Sequence, residues 1–97
     1  MSDKLAQVFA KMNFFELPED NGVIVYCYET NGDDRYLIAS DELGNTPKET
    51  ENIIIACYSE QDAFSWKIEF KTIDQLVAAY HENKNFIDVL DKLNSDS

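Results

Sequence analysis

The sequence is poor in the residues from which most metal and catalytic sites are built. Its only histidine is His81 and its two cysteines are Cys27 and Cys57, so a metal site of histidine and thiolate ligands would lack donors. It has no glycine-rich phosphate loop, no Gly-x-Ser-x-Gly elbow and no His-Glu-x-x-His pair. We interpret His81 as a partly exposed residue near a helix end rather than a general base. The sequence therefore predicts no enzyme, no metal site and no cofactor.

Long apolar runs are also missing. No segment approaches the roughly 20 apolar residues that cross a bilayer, and no early stretch joins a basic start to an apolar run and a cleavage site. We expect a cytoplasmic protein that does not contact membranes. Both cysteines lie within apolar runs, "VIVYCYE" and "IIIACY", which favours reduced and buried thiols; a disulfide between neighbouring strands is the alternative.

Basic residues are scarce. Eight lysines and arginines accompany 19 acids, which gives a net charge of −11, and twelve of the acids but only two bases lie between Glu16 and Asp62. This charge opposes direct binding to nucleic acid and favours a basic protein partner. The turns "EDNG" and "NGDD" offer oxygen ligands for calcium, but the EF-hand spacing is missing, and we interpret both as solvated turns.

What the chain does contain is enough apolar material for one core. It has 97 residues, of which 44% are hydrophobic and 12% aromatic. Disordered chains are poor in such residues, and a chain of this length suits one domain. We therefore expect a single domain over residues 1–97.

Helical spacing of apolar residues predicts a first helix that is capped by Ser2 or Asp3 and ends near Asn13. The segment "FFELPEDNG" that follows carries turn chemistry at Pro18 and Asn21-Gly22.

The next segment, "VIVYCYETNGDDRYLIAS", is typical of a β-hairpin with Asn31-Gly32 in a tight turn. A tight turn would place Glu29 opposite Asp34, so a looser loop with another register is the alternative.

After a polar loop over residues 41–52, "IIIACYS" and "FSWKIEF" predict two further strands. Thr72 and Gln75 form a capping box for a second helix, and Asn85 caps a third after a break at 82–85; one bent helix is the alternative. The predicted fold is α+β, of order αββββαα: a four-stranded antiparallel meander with one N-terminal and two C-terminal helices, mainly on one face.

We assign the two faces of this sheet by burying both cysteines. The face toward the helices then contains Val23, Val25, Cys27, Tyr36, Ile38, Ile53, Ile55, Cys57, Phe64, Trp66, Ile68 and Phe70. The opposite face contains Ile24, Tyr26, Tyr28, Leu37, Ala39, Ile54 and Tyr58. Tyrosines are frequent at protein interfaces, so this second face predicts a contact surface unless the first helix or the 41–52 loop covers it.

Three functions follow from this interpretation. The first is a small acidic, non-catalytic protein-binding module, such as an inhibitor, an immunity protein or a chaperone. In element order and net charge the chain is similar to type III secretion chaperones and to small phage-encoded inhibitors of nucleic-acid-binding proteins, which implies a basic protein partner. The alternatives are a homodimeric subunit that pairs through the Tyr26, Tyr28 and Tyr58 face, and an enzyme or ligand binder that uses carboxylates. The predicted contact residues are Tyr26, Tyr28, Tyr58, Leu37, Glu29, Asp33 and Asp34.

Overall fold

A computed structural model describes residues 4–48 and 50–96. It has an α+β fold in which three helices accompany a five-stranded antiparallel sheet. The elements in chain order are α1 (Lys4–Lys11), β1 (Phe14–Pro18), β2 (Ile24–Tyr28), β3 (Tyr36–Ser40), β4 (Ile53–Tyr58), β5 (Phe64–Phe70), α2 (Ile73–Ala79) and α3 (Phe86–Asp96).

The strands form a meander in the order β1-β2-β3-β4-β5, as predicted, but the sheet has one strand more than expected. The extra strand is β1, for which the sequence predicts only turn chemistry. Asn13 adopts a φ of 68°, which ends α1 abruptly and lets the chain turn directly into β1. Glu19 N donates to Val23 O at 2.8 Å and closes the β1–β2 turn, where Gly22 has a φ of 84°. The predicted turn is therefore real and joins two strands.

The β2–β3 connection is the looser loop. β2 ends at Tyr28 and β3 begins at Tyr36, so seven residues connect the strands, and Tyr28 pairs with Leu37. Within the loop Gly32 has a positive φ, whereas Asn31 does not. The tight turn that would oppose Glu29 and Asp34 does not form, which avoids two like charges at adjacent positions.

Both predicted caps at the C-terminal helices are present. Thr72 Oγ1 accepts from Gln75 N at 3.2 Å, while Gln75 Oε1 accepts from Lys71 N at 3.0 Å rather than from Thr72. Asn85 Oδ1 accepts from Ile87 N at 2.9 Å and starts α3 as a separate helix. The proposed caps of α1, Ser2 and Asp3, lie outside the described residues. No helix in the described ranges is long and apolar enough to cross a bilayer.

The hydrophobic core lies between the helices and one face of the sheet. The ring of Phe9 in α1 stacks on Tyr26 at 4.5 Å between centroids, and Phe86 in α3 packs edge-on against Tyr28 at 5.8 Å. The Tyr28 hydroxyl accepts from Phe86 N at 3.2 Å, which satisfies a buried donor at the start of α3. The largest fully buried side chains are Phe9, Phe86, Leu37, Ile53, Ile55, Leu76, Ile87, Leu90 and Cys57.

This packing corrects our assignment of faces for β2 and β3. Tyr26 is 6% exposed, Tyr28 5% and Leu37 0%, so all three belong to the core instead of an outer surface. The assignment is confirmed for β4 and for β5 from Trp66 onward, because Ile55 and Trp66 are buried on the helix side. It is wrong for Phe64, since a register shift at Cys57 and Tyr58 pairs Phe64 with Tyr58 on the opposite face. Leu37 pairs with Cys57 across β3 and β4, and directly opposed residues share a face. The error therefore arose at the β3–β4 connection.

Substitutions of two adjacent residues in β3 test the corrected assignment of faces. We expect Leu37→Ala to lower the free energy of unfolding by about 2–5 kcal/mol, because it opens a cavity under the helices. Ile38→Ala should cost only about 1–2 kcal/mol, because this side chain is half-buried on the other face. Urea unfolding of both variants measures the difference. A loss at Ile38 equal to or larger than that at Leu37 would restore the original assignment.

Candidate functional site

The face of the sheet opposite the helices is not covered by any helix of the described residues, and we call it the open face. It carries apolar side chains from all five strands. Phe15, Leu17 and Phe64 are among the large hydrophobic residues that remain exposed. The residues of the open face that matter below are Phe15, Leu17, Val25, Cys27, Tyr36, Ile38, Ile54, Ala56, Tyr58 and Phe64.

An aromatic row crosses three strands of the open face. Tyr36 stacks on Tyr58 with ring centroids 5.5 Å apart, and Phe64 packs edge-on against Tyr58 at 5.9 Å. The Tyr36 hydroxyl donates to Asp62 Oδ1 at 2.6 Å, and this hydrogen bond raises the pKa of Tyr36 to about 12. The row is therefore a fixed aromatic surface with a carboxylate at its margin.

A groove follows β2 along the open face. Its floor consists of Val25 and Cys27, and β1 and β3 form its walls through residues such as Leu17 and Tyr36. Two clefts of about 530 and 470 Å³ make up the groove, and both are lined by Leu17 and Tyr36. Apolar clefts with a few polar groups at the ends are the usual form of a binding site.

Carboxylates lie at both ends of this groove. At the end near the β2–β3 loop the lining includes Glu29, Asp34 and Glu60, and at the other end it includes Glu19 and Asp20. The acidity noted in the middle of the sequence is thus brought to the margins of an apolar surface.

A separate cleft of about 610 Å³ lies over β4 and β5, and its acids have hydrogen-bond partners within the chain. Asn52 donates to Glu42 Oε1 at 2.6 Å and also to Glu69. Asp41 is buried, and its Oδ1 accepts from Leu43 N and Asn45 N, each at 2.8 Å. The cleft also contains the ammonium group of Lys67. It therefore has less unsatisfied negative charge than the groove.

Arg35 fastens the β2–β3 loop to α3. Its guanidinium makes two hydrogen bonds to Asp33, at 2.9 and 2.8 Å, and a third to Asp88 at 2.7 Å. Asn85 donates to the same Asp33 carboxylate at 2.7 Å. These hydrogen bonds, chiefly those from Arg35, hold the pKa of Asp33 well below its usual range. The charge of Arg35 is thereby compensated, although the residue lines the groove.

The predicted contact residues divide into two groups. Tyr26, Tyr28 and Leu37 pack in the core, whereas Tyr58 lies half-buried on the open face. Three predicted acids, Glu29, Asp33 and Asp34, line one end of the groove. The prediction missed Phe15 and Leu17 because β1 was not recognised, and Tyr36 because the faces of β2 and β3 were exchanged. It missed Phe64 because a register shift between β4 and β5 turns this residue toward Tyr58. Period two extends only over Phe15, Glu16 and Leu17 in this segment, which is too short to predict a strand.

The two cysteines are free and buried, but they lie on opposite faces of the sheet. Cys57 faces the helices, whereas Cys27 forms part of the groove floor under larger side chains. Burial raises the pKa of both thiols, that of Cys27 to about 11. A disulfide between them is incompatible with this arrangement. Within residues 4–48 and 50–96, no group of three histidine, cysteine or acidic side chains converges as a metal site.

No protein-family model, curated protein or solved structure matches this chain. Its function is therefore argued from its own residues.

The Asp33–Arg35 interaction should make the free energy of unfolding depend on pH. Because the folded-state pKa of Asp33 is lowered, its contribution to stability is present above the unfolded pKa of about 4 and is lost as the pH falls below it. We expect Asp33→Asn to lower the free energy of unfolding by about 1–3 kcal/mol at pH 7. The difference from wild type should shrink below about pH 4.

The neighbouring substitution Asp34→Asn is the control, because Asp34 is exposed and forms no ion pair among the described residues. Urea unfolding at pH 7 and pH 3 measures both variants. Equal losses for the two variants, or a loss at Asp33 that does not change with pH, would contradict the assignment.

Proposed function

We propose that this chain is a small, non-catalytic protein-binding module whose open face takes a basic protein partner. The observation that carries the proposal is the apolar open face, which no helix of the described residues covers and which carboxylates border. Interfaces commonly combine an apolar, aromatic centre with a polar rim. Inhibitor, immunity and chaperone roles all use such a surface.

The open face alone is too small for a stable interface, which indicates that the surrounding acids also contact the partner. Five strands about 4.8 Å apart and five to seven residues long cover about 19 by 17–24 Å, or roughly 320–450 Å². A stable interface of standard size needs about 800 Å² from each partner. The contact must therefore extend over the surrounding loops, where Glu19, Asp20, Glu29, Asp34 and Glu60 lie. A partner that covers these carboxylates must supply positive charge to compensate for their desolvation.

Catalysis receives less support from the side chains present. His81 is exposed in the α2–α3 connection, and neither thiol is poised for reaction because burial raises both pKa values. A general base or nucleophile requires a partner within hydrogen-bonding reach. The arrangement favours binding over chemistry.

Exposed apolar residues on the two sides of the molecule provide a matched test. Phe15 on the open face and Leu93 in α3 are each 44% exposed, and Leu17 and Val77 are 39% and 43% exposed. We expect Phe15→Ser and Leu17→Ser each to weaken binding of a purified partner at least about tenfold, as truncation of an interface centre does. Leu93→Ser and Val77→Ser should leave it unchanged.

The partner is first captured from the source cell and purified, and its affinity is then measured by calorimetry for all four variants. Equal affinities for open-face and helix-face variants would refute the proposal. So would a partner that is itself acidic, or an affinity that does not weaken as salt increases.

The open face could instead pair two copies of the chain, and the effect of salt on binding distinguishes such a homodimer from a complex with a basic partner. Pairing through Tyr26 and Tyr28 is excluded by their burial, so a dimer would have to use the remaining open face. Two copies would then bring acidic margins together, and salt would strengthen their association by screening the repulsion. A basic partner behaves in the opposite way.

We therefore expect a monomer by sedimentation equilibrium at low salt, because the net charge of −11 opposes self-association. The same measurement at about 0.5 M salt tests for screening-driven pairing. A dimer at low salt that Phe15→Ser dissociates would replace the basic partner with a second copy.

A further inference from the structure

We propose that the end of the groove lined by Glu29, Asp34 and Glu60 receives an arginine side chain of the partner protein. This inference rests on the proposed function and specifies how the partner is recognised. An arginine suits the site because its three-carbon stem is apolar, while its planar head is cationic. The groove has the same two parts in the same order, an apolar trough and an acidic end.

The carboxylates at this end are available to a partner. Among residues 4–48 and 50–96, Glu29, Asp34 and Glu60 make no ion pair and accept no side-chain hydrogen bond. They line one cleft of about 530 Å³. The fourth acid of the cleft, Asp33, is already occupied by Arg35 and Asn85.

The walls of the cleft suit the rest of the side chain. Phe15 and Leu17 form one wall and Tyr36 the other, with Cys27 below. Because Tyr36 is held by Asp62 and by its stacking on Tyr58, its ring is fixed in place. A guanidinium group can stack on an aromatic ring while it bonds a carboxylate in its plane, which the compact ammonium of lysine does less well.

The cleft over β4 and β5 is a weaker candidate for the same side chain. Lys67 places a positive charge there that makes no ion pair among the described residues, whereas the guanidinium of Arg35 in the groove is bound by Asp33 and Asp88. Asn52 donates to both Glu42 and Glu69. Asp41 is bound by two backbone N–H groups. An incoming arginine would meet a like charge and acids that already have partners.

Titration with a short peptide tests the site without the natural partner. The probe is the blocked tripeptide acetyl-leucyl-arginyl-leucine amide, and its control carries citrulline, a neutral isostere, in place of arginine. Backbone amide chemical shifts of the folded full chain are followed by NMR. We expect saturable shifts at Leu17, Cys27, Glu29, Tyr36 and Glu60, and little change with the citrulline peptide.

Protein variants make the test quantitative. Glu29→Gln, Asp34→Asn and Glu60→Gln should each weaken the arginine peptide about two- to fivefold, as loss of an exposed ion pair does. Glu82→Gln, an exposed acid in the α2–α3 connection, is the matched control and should have no effect. These surface substitutions keep side-chain size, and unchanged amide spectra confirm the fold of each variant.

Three results would overturn the proposal. The first is an absence of saturable shifts at millimolar peptide, and the second is shifts centred on the cleft around Lys67. The third is wild-type affinity for the arginine peptide in a variant that combines Glu29→Gln, Asp34→Asn and Glu60→Gln. None of these results decides the proposed function, because loss of partner binding in Phe15→Ser but not in Leu93→Ser would still assign the contact to the open face. Conversely, a partner that binds Phe15→Ser normally refutes the open-face function even where the peptide binds in the groove.

Discussion

The register between β3 and β4, in which Leu37 lies opposite Cys57, determines which side chains of the sheet face the helices. The side chains of a strand alternate between faces, so this single pairing fixes which residues meet the helices. It places Leu37 and Ile55 in the core on the helix side and leaves Tyr36, Ile38 and Tyr58 on the other side. The core and the open face are thus two results of one register. A shift of one residue would exchange them.

The open face and its acidic margins are maintained by contacts that lie outside the core. Arg35 ties the β2–β3 loop to α3 through Asp33 and Asp88, and Tyr36 ties the aromatic row to the β4–β5 turn through Asp62. These contacts hold carboxylates in place beside apolar side chains. A surface that is ordered before binding loses less conformational entropy when a partner arrives.

Local signals in the sequence predicted the elements well, and the reason for the main error is physical. Capping at Thr72 and Asn85 and the alternation of β5 each depend on residues close in the chain. Which face of β2 meets the helices depends instead on pairing across the 41–52 loop, which carries no register information. The assignment of faces assumes that the two buried cysteines share a face. This assumption is wrong, because Cys27 is buried on the open side of the sheet. Because the faces were exchanged, the tyrosine surface predicted at Tyr26, Tyr28 and Tyr58 consists in the structure of Tyr36 and Tyr58.

The meander also bears on how the chain reaches its fold. Each strand pairs only with the next one along the sequence, so every pairing closes a short loop and costs little closure entropy. The Arg35–Asp88 hydrogen bond instead joins residues 53 apart. Strands can therefore be added one after another as a growing hairpin ladder. The carboxylates of α3 reach Arg35 only once that helix has packed against the sheet, so this bond depends on contacts between distant parts of the chain.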